Sequence, residues 1–141
     1  MRILLPFLCA FLLLLAPSCK KSNDDNDNLI NVGAFLQGGD WRVTKFVDSG
    51  QDETSNFSGY SFTFAASGTV TATNGANTVT GNWGSTVSDD RSKVLIVFTS
   101  PATFQELSED WEVLESGTQR ISLRHVSGGN GSTDELVLER N

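Results

Sequence analysis

Several residue types are nearly missing from this chain, and each shortage removes a class of function. There is one histidine in 141 residues, His125, so no histidine-based metal cluster is available and the expected metal set is empty. There are two cysteines. Cys9 lies inside an apolar N-terminal run and Cys19 closes it, so a domain downstream has neither a disulfide nor a cysteine nucleophile. Positive charge is scarce, with 10 Lys and Arg against 17 Asp and Glu and a net charge of −7, which argues against a nucleic-acid partner. Long apolar runs are missing too. Ile3 to Ala16 is broken by Pro6 and falls short of the ~20 residues that cross a bilayer as a helix. No nucleophile elbow, histidine–carboxylate spacing or glycine-rich phosphate loop is present. Glu109, Asp110, Glu112 and Glu115 read as ordinary exposed acids. The expectation is therefore a protein that is not an enzyme, with no catalytic residue and no cofactor.

What is present begins with an address. Met1-Arg2 supplies a positive start, the apolar run follows, and Ala16-Pro17-Ser18 makes a small-residue exit, so residues 1–18 read as a cleaved signal peptide. Leu15-Ala16-Pro17-Ser18-Cys19 resembles a bacterial lipobox. That resemblance implies a lipoprotein with acyl chains of the palmitate class on Cys19, each buried methylene adding about 0.8 kcal/mol of membrane affinity. An ordinary secretory signal with an incidental cysteine is the alternative. Residues 19–28 then carry no apolar side chain after the cysteine, and the expectation is a polar tether that cannot bury enough surface to order itself. Its aspartates lack the glycine and closing glutamate of a calcium loop. An acidic run directly after an acylated cysteine resembles the surface-export signal of Bacteroidota lipoproteins. It implies an outer-membrane location facing the cell exterior.

Residues 29–141 form one domain with room for a single core. Leu29 to Gln37 is apolar enough to pack as a helical turn or irregular cover. From Asp40 the pattern acquires a period of two, the mark of half-buried strands. Eight strands are expected. They centre on Trp41–Val47, Tyr60–Phe64, Thr69–Thr73, Val79–Trp83, Lys93–Phe98, Trp111–Leu114, Arg120–His125 and Glu135–Arg140. Ala66-Ser67-Gly68, Asn74-Gly75, Ser116-Gly117 and Gly128–Gly131 supply turns. Gly84 to Ser92 reads as a polar loop, and Ser100-Pro101 as an N-cap and first helical residue of a short turn reaching Leu107. Short links between neighbours favour an all-β, eight-stranded antiparallel up-and-down barrel, in which closure removes both edges.

Gly39-Asp40-Trp41, opening the first strand, resembles the Gly-x-Trp motif of lipocalins. The stretch from about residue 36 to 141 is similar to the lipocalin-like domains of Bacteroidota lipoproteins. The resemblance implies that an arginine late in the last strand packs over that tryptophan, and Arg140 falls in the right place. Gly39, Trp41, Trp83 and Arg140 are thus the expected barrel-closing residues.

The meander sorts side chains by end. Trp41, Phe64, Val70, Trp83, Ile121 and Arg140 collect at the lower end, where the tether enters. Tyr60, Val79, Phe98, Trp111, His125 and Leu136 collect at the upper end, with the loops 48–57 and 99–109. If the upper end is a mouth, Tyr60, Phe62, Phe98, Trp111 and His125 are the candidate ligand-binding residues for a small, partly apolar molecule. His125 near Asp134 would orient a polar group or act as a base, although a strand histidine commonly ends as a polar tip at a barrel rim. Eight strands can equally be filled by their own side chains. The domain would then be a packed, non-catalytic accessory or interaction module of the cell envelope. Its protein partner would meet strand 93–98, which is apolar on both faces.

Overall fold

The structure, a computed structural model, describes residues 31–141. The expectations for the signal peptide, for Cys19 and for the tether lie outside the described residues. A six-residue helix α1 (Val32–Gln37) precedes nine strands: β1 (Asp40–Asp48), β2 (Gln51–Asp52), β3 (Ser61–Phe64), β4 (Thr69–Thr73), β5 (Thr78–Ser88), β6 (Arg91–Val97), β7 (Asp110–Ser116), β8 (Arg120–Val126) and β9 (Thr133–Arg140). From β3 to β9 each strand pairs antiparallel with the next, β3 pairs with β1, and β9 returns to β1 with Trp41 opposite Arg140. This is the closed eight-stranded barrel. The two-residue β2 is an added hairpin on the upper end of β1, with Val47 opposite Asp52. No helix among the described residues is long and apolar enough to cross a membrane.

Period-two patterning places the core. Phe62 and Phe64 of β3, Val70 and Ala72 of β4, Ile121 and Leu123 of β8, and Leu136 and Leu138 of β9 are all buried, each pair two residues apart on one face. On β1 the alternation breaks. The register with β9 shifts between Val43 and Lys45, so a bulge at Thr44 turns Phe46 inward, where a strict period would have placed Lys45 or Val47.

Two local expectations are corrected. Gly84 to Ser92 is not a loop. β5 and β6 remain paired from Asn82–Val97 to Ser88–Arg91, and the turn is the dipeptide Asp89-Asp90, with φ of 52° and 57°. Two positive-φ residues are what a tight hairpin turn requires, and Asp tolerates that region better than most residues. The second correction shifts a cap. The helical turn α2 (Ala102–Gln105) has Pro101 rather than Ser100 at its N-cap, with no side-chain bond to the first turn.

The lower end is closed by a stack built on one tryptophan. Trp41 has no exposed surface, and its indole N–H donates to the Leu36 carbonyl at 3.0 Å, tying α1 to the barrel. Asn31 caps α1, its side-chain oxygen accepting from the Ala34 amide, and Val32 and Leu36 point into the core. The Arg140 guanidinium lies over the Trp41 ring, 4.8 Å from its centroid. Nε of Arg140 donates to the Thr118 carbonyl at 2.9 Å and Nη1 to the Gly38 carbonyl at 2.5 Å. Gly39 is glycine because of this arginine: a Cβ there would sit 1.8 Å from Arg140 Nη1. Trp83 sits at the edge of the core, donating to the Ala65 carbonyl at 2.9 Å with its ring edge-on to Phe64. Gly81 on the same face leaves room for Phe98, whose ring atom Cδ1 would lie 2.7 Å from an added Cβ.

Candidate functional site

The upper end is where the sequence places a mouth, and the structure fills it. Phe104, from α2, lies among four of the aromatic rings there. Its ring centroid is 5.1 Å from Tyr60, 5.2 Å from Phe98, 5.3 Å from Phe57 and 6.1 Å from Phe62. Phe57 in turn meets Phe46 edge-on at 5.4 Å, and Phe46 meets Trp111 at 6.4 Å. Phe62, Phe98 and Trp111 are buried, and Trp111 spends its indole N–H on the Leu107 carbonyl at 3.0 Å. Tyr60 is half-buried against the same cluster. Tyr60, Phe62, Phe98 and Trp111, four of the five candidate ligand residues, are therefore packed into the protein's own aromatic cluster.

Both loops are fastened over this cluster by backbone-directed bonds. In the first, a single 3-10 turn at Thr54–Phe57 carries Phe57 inward. Thr54 Oγ1 accepts from the Phe46 amide at 2.8 Å, and the Glu53 amide donates to the Phe46 carbonyl at 2.9 Å. In the second, Ser108 Oγ accepts from the Phe98 amide at 2.8 Å and donates to its carbonyl at 3.1 Å. Sequence reasoning missed Phe46, Phe57, Phe104 and Leu107 as core residues. For Phe57, Phe104 and Leu107 the available signal was an apolar side chain isolated within an otherwise polar loop, which has a reason to be there only if it packs; Phe46 turns inward through the bulge in β1.

His125 sits beside the plug, near the end of β8 on the upper rim. Its Nε2 lies 3.3 Å from Glu109 Oε2, its Nδ1 3.4 Å from the Asp110 carbonyl, and its ring edge-on to Trp111 at 6.3 Å. Asp134 stands directly opposite it in the β8–β9 register. That carboxylate is 4% exposed, and its Oδ1 accepts from the Ser49 amide at 2.8 Å, holding the β1–β2 turn where Ser49 has φ of 49°. Glu106, on the same end of the barrel, has its carboxyl pushed above the usual range. Desolvation is the main cause, and the charges of Glu53 and Asp48 add to it.

On β6, β7 and β8 lies a shallow groove of about 280 Å³, lined by Arg91, Lys93, Asp110, Glu112, Arg124, His125 and Val126. Outward-facing charges alternate in sign across the three strands. Glu112 takes Arg91 on one oxygen at 2.9 Å and Arg124 on the other at 2.8 Å, and Lys93 meets Asp110 at 2.8 Å. The Glu112 carboxyl is held below its ordinary range, first by the hydrogen bond from Arg124, against some desolvation, with the charges of Arg124 and Arg91 adding. Lys93 is raised by its hydrogen bond to Asp110. A carboxylate with a depressed folded-state pKa stabilises the fold above its unfolded value, and that contribution is lost as pH falls through the lower one. Acid unfolding curves of the parent and Glu112→Gln are therefore expected to converge below pH ~4, with the parent more stable at pH 6. Equal stabilities at pH 6 would show the arginine bridge to be energetically silent.

No protein-family model matches the chain, and no curated protein matches it. Among solved structures it is similar to the crystal structure of a DUF4847 family protein from Bacteroides vulgatus ATCC 8482. The identity is 17% and the TM-score 0.51, over 78% of this chain and 97% of the other. At that identity the likeness is one of fold, an all-β barrel reached by a different sequence.

Proposed function

We propose that this protein is a lipoprotein held by acyl chains on Cys19 at the outer membrane, facing the cell exterior. Its lipocalin-like barrel serves there as a packed, non-catalytic accessory or interaction module. The observation that carries this reading is the plug: Phe104 makes ring contacts with Phe57, Tyr60, Phe62 and Phe98, and Trp111 has no exposed surface. A small, partly apolar ligand would have to displace Phe104 and Phe57 together, breaking the bonds at Thr54 and Ser108 that fasten their loops. The fold likeness to a Bacteroides protein supports the Bacteroidota reading of the acidic run after Cys19.

The work then falls to the outer surface. The outward face of β6 is the place for a protein partner. Leu95 is 48% exposed there and lies opposite Gly84, which offers no side chain to cover it. The protein purified in detergent from its host, extracted with organic solvent, is expected to yield its own acyl chains and no second lipophile in stoichiometric amount. Tryptophan fluorescence is expected to stay flat on titration with fatty acids. A stoichiometric co-extracted molecule would return the mouth to a binding role. For the anchor, labelled palmitate is expected to enter the parent and not Cys19→Ala; equal labelling of both would remove the lipid attachment.

A further inference from the structure

The rim group of Glu109, His125 and Asp134 lies beside the plug, meeting it where the His125 ring stands edge-on to Trp111. Each residue comes from a different element: Glu109 ends the segment leading into β7, His125 is the penultimate residue of β8, and Asp134 is the second of β9. One ligand atom from each lies within 4.8 Å of the other two. The expectation of an empty metal set rested on counting histidines, but one imidazole with two carboxylates also makes a three-point set.

Two observations bear on what this set is for. The first is Asp134. It is more than nine-tenths buried, it accepts one hydrogen bond, from the Ser49 amide, and no basic side chain among the described residues lies within salt-bridge distance of it. A buried carboxylate without a countercharge is costly, and proteins resolve it with a cation or a proton. The second is the orientation of His125. Its Nδ1 lies 3.4 Å from the Asp110 carbonyl, and its Nε2 faces Glu109 Oε2 at 3.3 Å, so one ring edge is turned to the backbone and the other to the carboxylates. A cation between Nε2 and Oε2 would take the place of the proton that can otherwise bridge them. An imidazole whose second nitrogen is fixed on a backbone carbonyl is the usual posture of a metal-ligating histidine.

We propose that Glu109, His125 and Asp134 form a rim site for a single divalent cation of the zinc type, with water completing its shell. The 3.3 Å separation of Nε2 and Oε2 matches the edge of a tetrahedral site with bonds of about 2.0–2.1 Å. The three ligand atoms lie within 4.8 Å of one another, wider than a tetrahedral edge, so binding requires Asp134 to draw in toward the other two. A nitrogen ligand favours zinc over calcium, which prefers oxygen alone. Bound there, the ion would neutralise Asp134 and pin the segment before β7 to the β8–β9 hairpin. This inference stands independently of the function proposed above.

The test is calorimetric titration of zinc chloride into the EDTA-stripped protein in detergent. One zinc per chain is expected in the low-micromolar range or tighter. His125→Gln and Glu109→Gln are each expected to weaken it by about tenfold or more. Glu109 is half-buried and outside the core, so its variant keeps the fold where Asp134→Asn, which disturbs the bond to Ser49, need not. Zinc should also raise the melting temperature of the parent and of neither variant. Absence of saturable zinc binding would overturn the site. Equal binding by the parent and His125→Gln would overturn it too, because the ions would then reside on other acids such as Asp24 to Asp27.

Discussion

Trp41→Ala is expected to cost about 3–5 kcal/mol, the range for deleting a large aromatic from a core. For a domain whose whole stability is on the order of 5–15 kcal/mol, that brings it to the edge of unfolding at room temperature. Three separate losses converge on the one side chain. Its fully buried ring leaves a cavity between α1 and the barrel, the Leu36 carbonyl loses the indole donor, and Arg140 loses the face it lies on. Because Trp41 and Arg140 are also the register pair that joins the first strand to the last, the damage falls on closure itself. Urea unfolding followed by circular dichroism should show the midpoint collapse. Gly39→Ala separates the stack from the cavity: its Cβ evicts the Arg140 guanidinium while leaving the indole in place, so about 1–2 kcal/mol is expected. A Gly39→Ala midpoint equal to the parent's would mean that neither the stack on Trp41 nor the guanidinium's hydrogen bonds to the Thr118 and Gly38 carbonyls add to closure.

The lower end was legible in the sequence because its chemistry is local. Gly39, Trp41 and Arg140 sit at strand ends, and β3, β4 and β8 alternate without interruption, so which face turns inward there needs no coordinates. The β5–β6 hairpin was illegible for a physical reason. Val87, Ser88 and Arg91 are all exposed, so neither face is buried and no alternation develops, while Asp89-Asp90 is a less familiar turn dipeptide than Asn-Gly. At the upper end the failure was of another kind. Loops of ten or so polar residues read as solvent-exposed, yet each lends one or two apolar side chains to the interior: Phe57 from the first, Phe104 and Leu107 from the second. Pattern reasoning weighs neighbours in sequence, whereas these residues are core only through contacts with distant strands. His125 was singled out, with Asp134 beside it. Glu109 was dismissed as a surface acid because its approach to the histidine depends on how the segment before β7 is folded.

Phe104→Ala is the substitution that decides whether the upper end is a plug or a closed door. It removes the ring that four other aromatics share, so a loss of about 3–5 kcal/mol is expected, again from cavity formation. Leu114→Ala, at a site 54% exposed, should stay within about 0.5 kcal/mol. The more informative consequence is the space left behind. It would be lined by Phe57, Tyr60, Phe62 and Phe98, and an apolar cavity of benzene size stays dry and takes up small apolar molecules. Benzene added to Phe104→Ala is thus expected to raise its melting temperature through preferential binding to the folded state, with no comparable rise in the parent. The contrast carries the argument. A parent that gained as much from benzene as the variant would already hold an open mouth, and Tyr60, Phe62, Phe98 and Trp111 would regain the ligand-binding role that their patterning first suggested. A variant that gained nothing would mean that the loops 48–57 and 99–109 collapse into the gap, making the upper end a mobile cover rather than a fixed plug.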